Sequence, residues 1–232
     1  MPHETITTTT EIELDALCNR INTMGELVEN QVRDAVWAFS TGDVKLAEAV
    51  ITKEVEVNAM ELRLDNECAE LIARRQPAAV DLRRVLSASK VVGNLEQVGD
   101  HAKKLAKYTV ALNDVTVGKS RRVAEIQSLA ELSLRKLRDS LAAYLRLDPT
   151  AAQTIIDGEK ELDSAYQGIS RQVMSFAVED PRLMSWSLLV SAAAKATERV
   201  GLQGLKIAQH AIYAAQARDV RHKGLAQSEV AM

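Results

Sequence analysis

What most limits this chain's choice of fold is how rarely it is interrupted. Between residues 11 and 218 the strong breakers are Pro77, Pro149 and Pro181, the turn "TGD" at 41–43 and the loop "NDVTVGKS" at 113–120. Asp148 before Pro149, and Asp180 before Pro181, put a side-chain cap ahead of a proline at the first helical position, where its missing N–H costs nothing. Gly42 ends one helix and Asp43 opens the next. These breakers predict six helices, 11–40, 43–75, 79–112, 121–147, 149–178 and 181–218, each about 45 Å long. No stretch alternates as a strand does. Long helices joined by tight turns pack as antiparallel neighbours.

The order is three helices, a loop, three helices, and the second half echoes the first. "GDVKLAEAVITKEVEVN" at 42–58 aligns with "LDPTAAQTIIDGEKELD" at 147–163, and the E-x-V-G frame of "NLEQVGDHAKKLA" at 94–106 returns in "ATERVGLQGLKIA" at 196–208. A duplicated unit follows: an all-α chain of two tandem antiparallel three-helix bundles, residues 11–113 and 120–218, with a tail at 219–232 expected to fray. Gly99 and Gly201 hold the same place in both frames, where a missing side chain lets helices approach closely.

Composition narrows the function. Apolar residues make up 47% but aromatics only 3%, so the core is aliphatic. The net charge of -3 comes without a Lys/Arg stripe, which argues against nucleic acid as a partner. The start "MPHETITTTTEIEL" lacks the basic and apolar regions of a leader, and no apolar run approaches the ~18–20 residues needed to cross a bilayer. Cys18 and Cys68 have no Cys or His companion at ligand spacing and read as reduced thiols near the core. The expectation is a cytoplasmic protein that touches a membrane only peripherally.

In the third helix Val91, Val92, Leu95, Val98, Ala102, Leu105 and Ala106 trace a buried stripe, leaving Glu96 and Asp100 on the opposite side near Lys103 and Lys104. Counting back from the Pro77 turn brings Glu54 and Asn58 of the preceding helix to the same height. Glu61 and Asp65 lie nearer the turn and are the second choice. Across the Pro181 turn, Glu159 and Asp163 meet Glu198 and Leu202 in the same way. Carboxylates at i,i+4 repel by roughly 0.2–0.5 kcal/mol per pair. Facing pairs therefore call either for a cation suited to oxygen ligands or for relief by neighbouring lysines, and spacing leaves both open.

The stretch "VNAMELRLDNECAELIARRQPAAVDLRRVLSASKVVGNLEQVGDHAKKLAKY", above all "RRQPAAVDLR" followed by E-x-V-G-D, with its echo "EDPRLMSWSLLVSAAAKATERVGLQGLKIA", resembles the PhoU family of phosphate-signalling proteins over residues 11–215. That resemblance implies a non-enzymatic cytoplasmic adaptor, a homodimer, that restrains the phosphate-starvation response and limits phosphate uptake. Its partners would be the ATPase of the phosphate ABC transporter and the membrane sensor histidine kinase. It also implies acidic motifs that in several members hold iron, zinc or other metals, and oxygen-only ligands suit manganese or magnesium as well. In this chain the motifs fall on Glu96 and Asp100, on Glu198, and on the partners Glu54, Asn58, Glu159 and Asp163. Asn58 stands where the family often has aspartate, Gln97 replaces its usual arginine, and Leu202 removes an aspartate.

Two other readings are carried along. One is a helical metal-binding scaffold or storage protein without a signalling role. The other is a ferritin-like carboxylate-bridged metal oxidase, which needs Glu-x-x-His; none of His3, His101, His210 or His222 has Glu three residues before it. His101 is expected at the surface. Leu202, Leu205 and Ile212 form an apolar strip that suits either a contact surface or cover by the repeat's own first helix. Trp37 and Trp186 suit core or interface. Arg74, Arg75, Arg83 and Arg84 flank the Pro77 turn and suit either an acidic partner surface or phosphate, or, more commonly, a solvated turn.

Overall fold

A computed structural model describes residues 2–118 and 124–221, with side chains from residue 9 onward. Its helices are α1 (Pro2–Thr41), α2 (Val44–Arg75), α3 (Ala79–Asn113), α4 (Glu125–Leu145), α5 (Pro149–Asp157), α6 (Glu159–Glu179) and α7 (Met184–Gln216), with a single 3-10 turn, Pro181–Leu183, ahead of α7. The described residues contain no strand. Helices α1–α3 form one antiparallel bundle and α4–α7 the other, with α5 and α6 together in the place of one helix.

The caps act as the sequence predicts. Asp43 accepts from the Leu46 amide, Asp148 from Thr150 and Ala151, and Asp180 from Arg182. Gly42 takes φ 75° while its own amide and that of Asp43 both bond the Ala38 carbonyl, closing α1 in the left-handed conformation glycine adopts without strain.

Three boundaries differ from expectation. α1 starts at Pro2 rather than at 11, and α4 starts at Glu125; residues 119–123, and the tail from 222, lie outside the described part. The expected helix 149–178 breaks at Gly158. There the ammonium of Lys136, a lysine buried in α4, lies 2.7 Å from where a Cβ on Gly158 would stand. A side chain at 158 would have to displace that charge, whose carboxylate partner is Glu161 at 3.5 Å.

One continuous hydrophobic core runs through both bundles, from Leu14 on α1 to Ala214 on α7. The outer helix α2 buries only a narrow stripe, Ala47, Val50, Glu54, Val57, Leu64, Cys68 and Leu71. The whole predicted stripe of α3 is buried. α7 is buried on most of its circumference, because it packs on α3, α4, α5 and α6 at once. Burying a single Leu or Val contributes about 1.5–3 kcal/mol, so this shared core binds the repeats to each other as well as internally.

Duplication shows in the glycine contacts. A Cβ on Gly99 would meet Gln31 and Val57 at 3.2 Å, and one on Gly201 would meet Leu162 at 2.7 Å and the Ser133 Cα at 3.2 Å. Close helix approach at the E-x-V-G frame is thus built twice. The repeats are further tied by Gln203 donating to Gln97 at 3.0 Å and by Arg138 of α4 reaching Glu29 of α1.

The strip of Leu202, Leu205 and Ile212 is taken up inside the chain, since Leu205 and Ile212 are buried and Leu202 packs on the core. Trp186 is a core residue, whereas Trp37 is 60% exposed. The turn arginines are not simply solvated. Arg75 grips Glu13 through two bonds, and Arg84 lies 3.8 Å from Asp15. Both cysteines are free, and burial pushes the Cys68 thiol up to about 12.

Candidate metal centre

The four carboxylates of interest in the first repeat come from facing sides of α2 and α3. Glu54 is buried, and Glu96 and Asp100 are half-buried rather than fully outward. Glu54 lies within hydrogen-bonding reach of Asp100, and that contact, helped by Lys104 and Lys103, holds Asp100 below the usual carboxylate range. Glu96 is shifted the other way. Burial raises it first, then the like charges of Glu61, Asp100 and Glu54, with Lys104 opposing.

Glu61, the second choice on spacing, is therefore a member of the cluster. Its own carboxyl is raised by burial and by Asp65, while Asp65 accepts a hydrogen bond from Ser89 at 2.7 Å. Asn58 sits one turn from Glu54 but is exposed. Helix geometry explains the exchange: Glu54 and Glu61 are two turns apart on one face, and Asn58, one turn from Glu54, rotates off that face by about 40°.

The charge is compensated from within. Lys103 pairs with Glu54, and Lys104 lies 3.4 Å from Asp100. Among the described residues no three His, Cys, Asp or Glu side chains are gathered closely enough to hold one metal ion. The donor set is still one that favours a hard cation, because Glu96 remains raised by its like-charged neighbours despite the lysines. In its present rotamers the cluster is an ion-pair network whose cation is ammonium. A metal ion would have to displace Lys103 from Glu54 and Lys104 from Asp100 to join these carboxylates with Glu96.

The second repeat does not reproduce this arrangement. Glu198 is 3% exposed and pairs with Lys195, whose ammonium also lies 4.2 Å from the Tyr166 ring centre. Glu159 and Asp163 are exposed, and Asp163 accepts from Gln167 at 2.9 Å. Among the described residues nothing brings these three carboxylates together, and Leu202 offers no ligand where the first repeat has Asp100.

His101 corrects another expectation. It is half-buried, its Nδ1 has no hydrogen-bond partner among the described residues, and burial, with Lys104 beside it, pushes its pKa down to about 4. The cover comes from the other repeat, since Arg199 and Lys206 of α7 also act on it. Sequence reasoning confined to α3 does not see that helix. His210 on α7 and Lys136 on α4 are likewise buried polar residues that no motif flags.

Comparison with known proteins agrees with this architecture. The model of the PhoU domain matches twice, over residues 21–109 and 126–211. The phosphate-specific transport system accessory protein PhoU homolog of Pseudomonas putida is 37% identical over 92% of this chain and 83% of its own length. The phosphate-specific transport system accessory protein PhoU of Escherichia coli (strain K12) is 35% identical over 91% of this chain and 87% of its own. The crystal structure of PhoU from Pseudomonas aeruginosa superposes with a TM-score of 0.82 at 33% identity, covering 90% of this chain and 99% of that one. With two matched domains, one per bundle, and relatives aligned along nearly its whole length, this chain belongs to the PhoU family.

Proposed function

We propose that this protein is a non-enzymatic cytoplasmic adaptor that restrains the phosphate-starvation response and limits phosphate uptake. It acts by linking the ATPase of the phosphate ABC transporter to a sensor histidine kinase, and it works as a homodimer at the inner face of the membrane. The observation that carries this reading is the pair of PhoU-domain matches, one on each bundle, in a chain whose relatives are named as accessory proteins of phosphate transport. Two further features support it. No helix of the described residues is long and apolar enough to cross a membrane. The exposed face of the bundles also offers long helical surfaces, such as that of α2 with Val55 and Leu62 outward, on which a partner can seat.

The division proposed for the chain is a first repeat at 11–113, a second at 120–218 and a tail beyond. Within the first repeat, Glu54, Glu61, Glu96 and Asp100 would hold a hard or intermediate cation such as manganese, magnesium or iron. There the ion would neutralise the repulsion at Glu96 and lock α2 to α3. Glu159, Asp163 and Glu198 would serve the second repeat only after rearrangement. A metal-binding scaffold without signalling is the second reading, favoured by the raised carboxyl of Glu96.

Binding separates the two readings. Detergent-solubilised transporter and kinase, each immobilised, should retain the purified protein, with or without added manganese. Retention of neither would defeat the adaptor reading and leave the scaffold standing.

A further inference from the structure

The two halves of the duplication carry different charge at corresponding positions. Alignment of the E-x-V-G frames pairs Gln97, Asp100 and Lys104 of α3 with Arg199, Leu202 and Lys206 of α7. A neutral or acidic surface in the first repeat thus becomes a cationic one in the second. On that surface lies an open groove of about 460 Å³, floored by α7 and walled by the α5–α6 junction at Ile156 and Glu159 and by Arg221 beyond α7.

Its lining is unusual for a helical surface. Arg199 and Lys206 are exposed and have no ion-pair partner among the described residues; Arg221 is held in place by Asp219. Two buried polar side chains also line the groove. His210 is 6% exposed and Gln203 is 3% exposed. Gln203 spends its amide on Gln97 and leaves Oε1 buried without a partner. His210 makes no hydrogen bond among the described residues. Burial, with Lys90, Arg221 and Lys206 around it and only Asp219 opposing, pushes its pKa down to about 4. At neutral pH it is an uncharged ring with one N–H to donate. That N–H can meet an anion's oxygen, whereas Gln203 Oε1 is itself an acceptor and calls for a donor such as water or a protonated phosphoryl oxygen.

We propose that this groove is a binding site for a small, multiply charged phosphoryl oxyanion, free or esterified. Arg199 and Lys206 are the charged anchors, and Arg221 closes one end. The two anchors stand seven residues, about 10 Å, apart along one face of α7, so a ligand that engages both either spreads its charge over several ångström, as pyrophosphate does, or draws the two long side chains together. Charge-assisted hydrogen bonds from guanidinium and ammonium groups supply the attraction, and Glu159 at the rim opposes it. Leu202 and Ile156 provide an apolar floor on which the organic part of a phosphate ester can lie. The site does not depend on the adaptor reading, because it is tested on the purified chain alone.

The test is isothermal titration of the full-length protein at low salt with inorganic phosphate, pyrophosphate and adenosine monophosphate. Saturable binding of at least one is expected, weakened roughly tenfold by Arg199→Gln or by Lys206→Gln and tightened by Glu159→Gln. All three residues are exposed, and unchanged circular dichroism will show that the fold is intact. Tighter binding of adenosine monophosphate than of inorganic phosphate identifies an esterified ligand, and the reverse order a free oxyanion. No saturable binding up to about 10 mM, or binding that neither Arg199→Gln nor Lys206→Gln alters, overturns the proposal.

Discussion

Replacing Gly204 by alanine puts the packing of the second bundle to a sharp test. Gly204 faces the backbone of α4, and an added Cβ would stand 2.9 Å from both N and Cα of Leu137 and 3.1 Å from the carbonyl carbon of Lys136. Those are backbone atoms in the middle of a helix whose side chains, Leu137 included, are already buried in the core. They cannot yield unless α4 moves as a whole. Overpacking of this kind costs about 1–3 kcal/mol, while alanine's better helix propensity returns roughly 0.5–1 kcal/mol. The net expectation is a loss of up to about 2.5 kcal/mol. Gly93 on α3 is the control, since a Cβ there meets nothing within 4 Å, and Gly93→Ala should gain the full propensity term. For a chain of this size 1 kcal/mol moves the melting temperature by roughly 2–4 °C. Calorimetric unfolding of the two variants beside the parent should therefore show shifts of opposite sign. A Gly204→Ala protein stabilised as much as Gly93→Ala would refute the close α4–α7 contact.

The carboxylate cluster yields two further expectations. Because the folded state raises the Glu96 carboxyl, its contribution to stability is full below its unfolded value and is lost as pH rises through the folded one. Glu96→Gln should therefore melt higher than the parent at neutral pH, with the advantage shrinking to nothing by about pH 4; an advantage that does not change with pH would contradict the assigned cause. Lys103→Met leaves the buried Glu54 without its ammonium and should cost about 1–3 kcal/mol. Millimolar manganese should restore more stability to that variant than to the parent, and equal effects on both would count against a cation site at Glu54.

How much of this was readable beforehand depended on how many neighbours each residue has. The stripe of α3 from Val91 to Ala106 was legible because it is a one-sided period, and the caps at Asp43, Asp148 and Asp180 because their chemistry is local. The helix ends at Gln76, Leu147 and Ala217 adopt positive φ without glycine, so tertiary context, not propensity, places them. Gly158 interrupts the expected helix although a single glycine inside a helical pattern is usually tolerated, and a side chain there would meet the Lys136 ammonium of another element. Register counted from the Pro77 turn sets height along the helix and not rotation about it, so it puts Asn58 level with Glu96, whereas in the structure Asn58 is exposed and Glu61 lies near Glu96. A single helix's periodicity puts His101 at the surface and leaves the strip at Leu205 and Ile212 open for one reason: α3 and α7 cover each other across the duplication, and that period cannot reveal which neighbour arrives.

The adaptor reading predicts a defined consequence of losing the protein. In a strain lacking the gene, transcripts of phosphate-responsive genes should be high in abundant phosphate, and a plasmid copy should return them to the repressed level. Transcripts that stay repressed in the deletion strain under abundant phosphate would contradict the account.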